Sequence, residues 1–186
     1  MSQAYHGVTA GQHQANFNSL SAQGYRMISL SVYGNVRAGS KCRHISISEQ
    51  NGHDGKMILR SMAIYGSPSD RLFIGVWHPN PGYTKWHVHY ADDGANYQTV
   101  FNAETSNPFY RPTDVAVSSD HLYCSLFKDD MVGPWVARHG MTSAQYESEF
   151  DAQNARGFYP ISMQGGGSGG DTRYAAISSV VSRVVV

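Results

Sequence analysis

Charge is scarce in this sequence. Only 15% of its 186 residues are charged, and 14 bases balance 14 acids for a formal net charge of zero. A nucleic-acid binder needs a basic excess to displace counterions, so no nucleic-acid partner is expected. Lys and Arg are scattered, with no basic run to hold an anionic membrane. No apolar stretch is long enough to span a bilayer. The opening Met-Ser-Gln-Ala-Tyr-His lacks the apolar core of a signal peptide. A soluble chain is expected, and a cytoplasmic and a trimmed secreted protein would read alike. Cysteine is nearly absent: Cys42 and Cys124 lie far apart, each inside a strand-like segment. Two buried free thiols are expected rather than a disulfide. There is no Cys-x-x-Cys pair, and no cofactor is expected.

What the chain has is aromatic surface and internal repetition. Twelve Tyr and three Trp sit in a polar, low-charge background. His6–Ser31 aligns without a gap on His139–Gln164: His6-Gly7 falls on His139-Gly140, Thr9 on Thr142, Phe17 on Phe150, Gly24 on Gly157 and Ile28-Ser29 on Ile161-Ser162. A further copy starts at Trp86 and aligns on Trp135, with Tyr97 on Tyr146 and Phe101 on Phe150. Period decides the architecture of a repeat protein.

Each full unit reads as a short strand, a helix and a strand hairpin. Thr9 and Thr142 are N-caps with Gln at the third helical position. Gly24 and Gly157 stop the first and third helices, and Asn107-Pro108 stops the middle one. A hairpin without a helix is read at Met57–Tyr65 and Arg71–Trp77. The chain is therefore expected to be one α+β domain, mostly antiparallel β. Four quasi-repeated hairpin units (about 1–49, 50–83, 84–130 and 131–186), three with an inserted helix, would form a closed propeller-like ring. The strand near Tyr5 would complete the last unit, whose second strand is Arg173–Ser178, and so close the ring. The Val180–Val186 tail would add an edge strand through which copies of the chain could pair.

Several residues invite a functional reading. His6 and His139 recur just before a helix, with Tyr90 at that place in the middle copy. Arg43, Arg71 and Arg173 recur where the second hairpin strand begins, with pairing to Asp70 or Asp171 as their structural use. Tyr33 and Tyr65 offer flat contact area suited to sugars, peptides or organic ligands. His87 and His89 alternate in a strand, so both rings face one side, the geometry of a two-His metal site. Two motifs are discounted on context. Ser125-x-x-Lys128 lies in a strand, where i and i+3 face opposite ways. Gly166-x-Ser168-x-Gly170 lies in a hairpin turn rather than a strand-to-helix elbow.

The run Gly133-Pro134-Trp135-Val136-Ala137-Arg138-His139-Gly140-Met141-Thr142-Ser143-Ala144-Gln145-Tyr146, then Gly157-Phe158-Tyr159-Pro160-Ile161-Ser162, then Thr172-Arg173-Tyr174-Ala175-Ala176-Ile177-Ser178, resembles the bacterial tandem repeat domain family. The first unit is similar, with Met27 at the Pro position, and the other two are diverged. In the fungal polyglycine hydrolases such repeats form an N-terminal module beside a β-lactamase-like catalytic domain. Here the repeats use up the chain, so that domain and its peptidase activity are not expected. The resemblance implies a stand-alone repeat module that binds a ligand. The expected function is binding of a peptide, glycan or small organic ligand through loops or a central opening. A small hydrolytic or oxidative enzyme with a His/Tyr/Arg site and a self-associating structural protein stand as alternatives.

Overall fold

The computed structural model describes residues 10–24, 57–130 and 133–180. Helices are α1 (Ala10–Ala22), α2 (Gly94–Ser106) and α3 (Ser143–Ala155). Strands are β1 (Met57–Ser67), β2 (Asp70–Pro79), β3 (Trp86–Asp92) and β4 (Tyr110–Val117). They continue as β5 (Tyr123–Asp129), β6 (Trp135–Met141), β7 (Phe158–Gly166) and β8 (Arg173–Val180). Three antiparallel sheets result: β1-β2, β3-β5-β4 and β6-β8-β7. We call them the hairpin unit, the middle unit and the last unit.

Local chemistry sets the element ends. Thr142 caps α3 through a reciprocal capping box with Gln145, as its spacing predicts. Asp93 does the same work for α2, accepting from the Ala95 and Asn96 amides. Asn107 is the C-cap of α2, and Gly157 follows α3 at φ 81°. Before α2 and α3 the first strand of the unit bulges. Gly140 takes φ 67° there, and Ala91 holds the same left-handed place at φ 59°, a conformation that costs a residue with a Cβ about 1 kcal/mol or more.

The three units share one register. The second-to-last strand of each skips one residue: Arg60, Thr113 and Ile161 have no partner across the hairpin. Counting from these bulges makes Ser61, Asp114 and Ser162 equivalent, and likewise Met62, Val115 and Met163, and Phe73, Tyr123 and Tyr174.

Units pack in sequence order, and β5 shows why. It is buried along both faces. Cys124 and Leu126 join Leu59, Met62 and Ile64 of the hairpin unit in one core. Tyr123 joins Tyr97 of α2, Val115, Val117, and Ala175 and Ile177 of the last unit in another. The tryptophans are joint residues: Trp86 packs edge-on to Trp77 at 5.5 Å, and Trp135 edge-on to Phe101 at 5.9 Å. Cys124 is a buried free thiol, and burial pushes its pKa up to about 12.

Each joint repeats one hydrogen bond. Asp114 Oδ2 accepts from the Met62 amide at 2.8 Å, and Ser162 Oγ accepts from the equivalent Val115 amide at 3.3 Å. Ser162 also donates to Asp114 Oδ1 at 2.7 Å, chaining all three units. A charge latch repeats beside it. Arg71 pairs with Asp120 of the middle unit, and its equivalent His121 reaches the Asp171 carbonyl of the last unit at 2.8 Å. The turns close up tightly there: a Cβ on Gly166 would lie 2.1 Å from the Ser118 carbonyl oxygen.

The architecture is mostly antiparallel β with three helices, as expected. In the last unit β8 is the middle strand, with β6 on one side and β7 on the other, and the strand expected near Tyr5 lies outside the described residues. The three sheets are separate, and none closes on itself among the described residues. Residues 181–186 of the Val-rich tail lie outside the described residues.

Replacing Asp114 by Ala leaves the buried Met62 amide without its acceptor. Such a loss costs about 1–3 kcal/mol, and urea denaturation of Asp114→Ala should show it. Asp114→Ser, which copies the next joint, should recover part of that loss.

Candidate functional site

Of the ten residues singled out from the sequence, His6, Tyr33 and Arg43 lie outside the described residues. The structure distributes the other seven over several places. Tyr65 is buried at 6% exposure in β1. Arg71 finds its carboxylate one unit further on, at Asp120. Arg71 holds the Asp120 carboxyl below its ordinary range. Arg173 stays local, 3.6 Å from Asp171. The two arginines are not equivalent: Arg71 lies opposite Gly66, one residue beyond the Leu72 position that matches Arg173. Residue type suggested a recurrence that the bulge-defined register does not keep.

Tyr90 and His139 are equivalent, and each packs on the preceding unit. Tyr90 meets the Phe73 ring edge-on at 6.2 Å. His139 meets Tyr123 at 5.3 Å and Tyr97 at 4.7 Å, both edge-on. Those two tyrosines are themselves stacked 4.8 Å apart. The His139 Nε2 atom lies 2.9 Å from Gln98 Oε1. Burial among these rings lowers the His139 pKa and favours the neutral imidazole.

His87 and His89 do face one side, and they meet on a single carboxylate. Glu104 of α2 contacts His87 Nδ1 through Oε2 at 2.9 Å and His89 Nε2 through Oε1 at 2.8 Å. His87 also stacks on Tyr110 at 4.6 Å. Burial alone would raise the Glu104 pKa; the hydrogen bonds and charges of the two histidines outweigh it and lower it. The trio ties α2 to β3. Among the described residues no group of three or more His, Cys, Asp and Glu is arranged to hold a metal ion. The last unit ties its helix differently: Gln153, at the Glu104 position, donates to Glu149 at 2.8 Å, and Arg138, at the His89 position, lies 3.5 Å from that same carboxylate.

This different tie accompanies an open cleft. Arg138, His139, Gly140 and Met141 of β6, with Gln145, Ser148 and Glu149 of α3, line a space of about 360 Å³. That is within the usual size range of ligand sites. β6 is an edge strand of its sheet. The cleft therefore offers a strand edge with Arg138 on one wall and the helix side chains Gln145, Ser148 and Glu149 on the other. His139 is the one sequence-predicted site residue that lines it.

Sequence reasoning passed over Glu104 and Asp114 and discounted Lys128 along with its Ser-x-x-Lys motif. Lys128 lies opposite both Trp86 and Arg111 and is only 5% exposed. Burial pushes its pKa down to about 8, and Arg60 and Arg111 act in the same sense against Asp130 and Asp114. For Asp114 and Lys128 an acid or a base inside an otherwise apolar strand was the available signal, since such groups are buried only with partners.

Two measurements check these assignments. Glu104→Ala frees one end of α2 and should cost about 1–3 kcal/mol near neutral pH, as for a lost charge-assisted hydrogen bond. Because the Glu104 pKa is depressed on folding, its stabilisation is present above the unfolded value of 4.5 and is lost as pH falls through the folded value. The gap between Glu104→Ala and the unchanged protein should thus close in acid. Lys128 has the opposite linkage. Between about 8 and its ordinary 10.5 the unfolded chain holds the extra proton, so stability rises with pH in that window. Chemical denaturation from pH 7 to 10 should show a gain of up to about 3 kcal/mol relative to Lys128→Met.

Comparison with known families gives this scaffold its place. Residues 2–42 and 132–177 match the family described as polyglycine hydrolase-like, structural repeat. The matched stretches are the first and last units, and the middle unit between them repeats the last unit's topology and register. The chain carries repeat units of the polyglycine hydrolase-like structural-repeat family.

Proposed function

We propose that this chain is a non-catalytic binding module that takes an extended peptide in the cleft between β6 and α3. One observation carries the reading: four consecutive residues of an edge strand share a cleft of about 360 Å³ with Gln145, Ser148 and Glu149. An edge strand offers unpaired main-chain groups to an added strand, and flanking side chains then select the sequence. Arg138 and Glu149 supply one charge of each sign beside that edge. The family name mentions polyglycine hydrolase, so a glycine-rich peptide is the first probe. A glycan or a small organic ligand is the competing occupant. Against the small-enzyme alternative, the His139 imidazole is engaged by Gln98 and two tyrosine rings.

The same reading includes a closed ring of four units. It is supported by the side-by-side packing of the equivalent strands β1, β4 and β7, with β4 between its neighbours. Self-association through the Val180–Val186 tail is the alternative, and it predicts a mass in solution above that of one chain.

Titration of the protein with a fluorescent pentaglycine peptide, followed by anisotropy, should give saturable binding. Ser148→Trp, which fills the cleft from an exposed helix position, should weaken it about tenfold or more. Unchanged affinity in Ser148→Trp would move the site elsewhere. Saturable binding of an oligosaccharide but no peptide would replace the peptide reading by the glycan one.

A further inference from the structure

The face that the middle unit turns to the hairpin unit ends in a knot of positive charge. Lys128 continues the β5 face of Cys124 and Leu126, which packs on the hairpin unit. Arg111 lies directly opposite it on β4, so the two side chains share that face. Like charges placed opposite one another destabilise a sheet, and these two residues are only 5% and 9% exposed. Arg60 stands at the β1 bulge, without a partner on β2 and two residues before the Met62 amide that Asp114 holds. It is exposed, and its charge reaches Lys128.

The acids beside these three bases do not balance them. Asp130 is taken by Arg111, whose Nε and Nη2 meet its two oxygens at 2.6 and 2.8 Å. Asp114 has both oxygens engaged, one by the Met62 amide and one by the Ser162 hydroxyl. Burial raises the Asp114 pKa, which weakens it as a counter-charge. Among the described residues neither the Lys128 ammonium nor the Arg60 guanidinium has a hydrogen bond or an ion pair. Arg111 Nη1 is buried with no acceptor. Buried charges persist only with partners, and this joint is at least one acceptor short. Of the unpartnered nitrogens on the buried pair, Arg111 Nη1 is closed off, whereas Lys128 Nζ keeps a small opening.

We propose that this end of the joint is a binding site for a phosphate group, held by the Lys128 ammonium with Arg60 and Arg111 as the flanking cations. The cations belong to three strands of two units. A flat carboxylate is best met by the fork of one arginine, and Asp130 already fills the Arg111 fork. Separate donors grouped around a lysine suit a tetrahedral oxyanion. Trp86 lies opposite Lys128 on its other side and edge-on to Trp77 at 5.5 Å, so one wall of the site is apolar. Charges attract more strongly beside such a wall than in water. None of these residues lines the cleft between β6 and α3, and the site is independent of the peptide reading. A bound phosphate supplies the missing counter-charge and ties the hairpin unit to the middle unit.

The probe is inorganic phosphate, followed by its phosphorus NMR line width near neutral pH, with chloride holding the ionic strength constant. Saturable broadening is expected with the full chain. Lys128→Met and Arg60→Ala should each weaken binding about tenfold or more, as for a lost charge-assisted contact. Arg156→Ala, which removes an exposed arginine of the last unit, should bind as the unchanged protein does. Saturating phosphate should also raise the melting temperature of the unchanged protein by more than that of Lys128→Met, because a ligand of the folded state stabilises it. Broadening that does not saturate, or that survives in Lys128→Met, overturns the site. An equal loss in Arg156→Ala reduces the effect to general surface charge and overturns it too. Saturation by acetate but not by phosphate overturns the phosphate assignment in favour of a carboxylate. Phosphoserine that competes more tightly than inorganic phosphate supports a phosphate carried on a larger molecule, and weaker competition supports the free ion.

Discussion

The structure depends on one hydrogen bond repeated between units: a side-chain oxygen of one unit accepts a main-chain amide of the unit before it. An amide on the flank of a hairpin that faces another hairpin has no strand ladder to satisfy it. Burying it unpaired would cost as much as a well-packed side chain gains. Asp114 and Ser162 remove that penalty in the two described joints. Every apolar contact around them, from Leu59 to Ile177, presupposes that the flanks can approach closely. The bulge in each hairpin matters for the same reason, since it turns the accepting residue toward its neighbour at a fixed place in the register.

The recurrent side chains that first suggest a site have mostly been absorbed by these joints. Trp86, Trp135, Tyr90 and His139 all lie on the preceding unit. Repetition in sequence here records repetition of interfaces. Functional surface has to be sought where two units differ, and the clearest difference is the helix tie. The middle unit closes its strand-helix corner with His87, Glu104 and His89, whereas the last unit leaves a cleft beside Arg138 and Glu149.

Local features were legible in the sequence. Thr142 with Gln145, Asn107 before Pro108 and Gly157 after α3 act within a few residues of themselves, so spacing alone identifies them. The helix-less hairpin was legible from its turn. What escaped reading was anything whose partner lies in another unit. Asp114 looks like an isolated acid until Met62 and Ser162 stand beside it. Arg71 looks like Arg173 until the skipped residues at Arg60 and Ile161 fix the count. Strand order escaped reading too: the chain returns its third strand to the middle of each three-stranded sheet, which fills both edges of β5 and of β8.

The repeated hydrogen bond has a direction. In both described joints the earlier unit offers the main-chain donor and the basic or imidazole latch, and the later unit the side-chain acceptor. Such an array is polar in the way a helix is polar: its two ends are chemically different surfaces. A two-fold symmetric dimer needs one patch to match itself, and neither flank can. Through these flanks the fold can only propagate head to tail or bite its own tail.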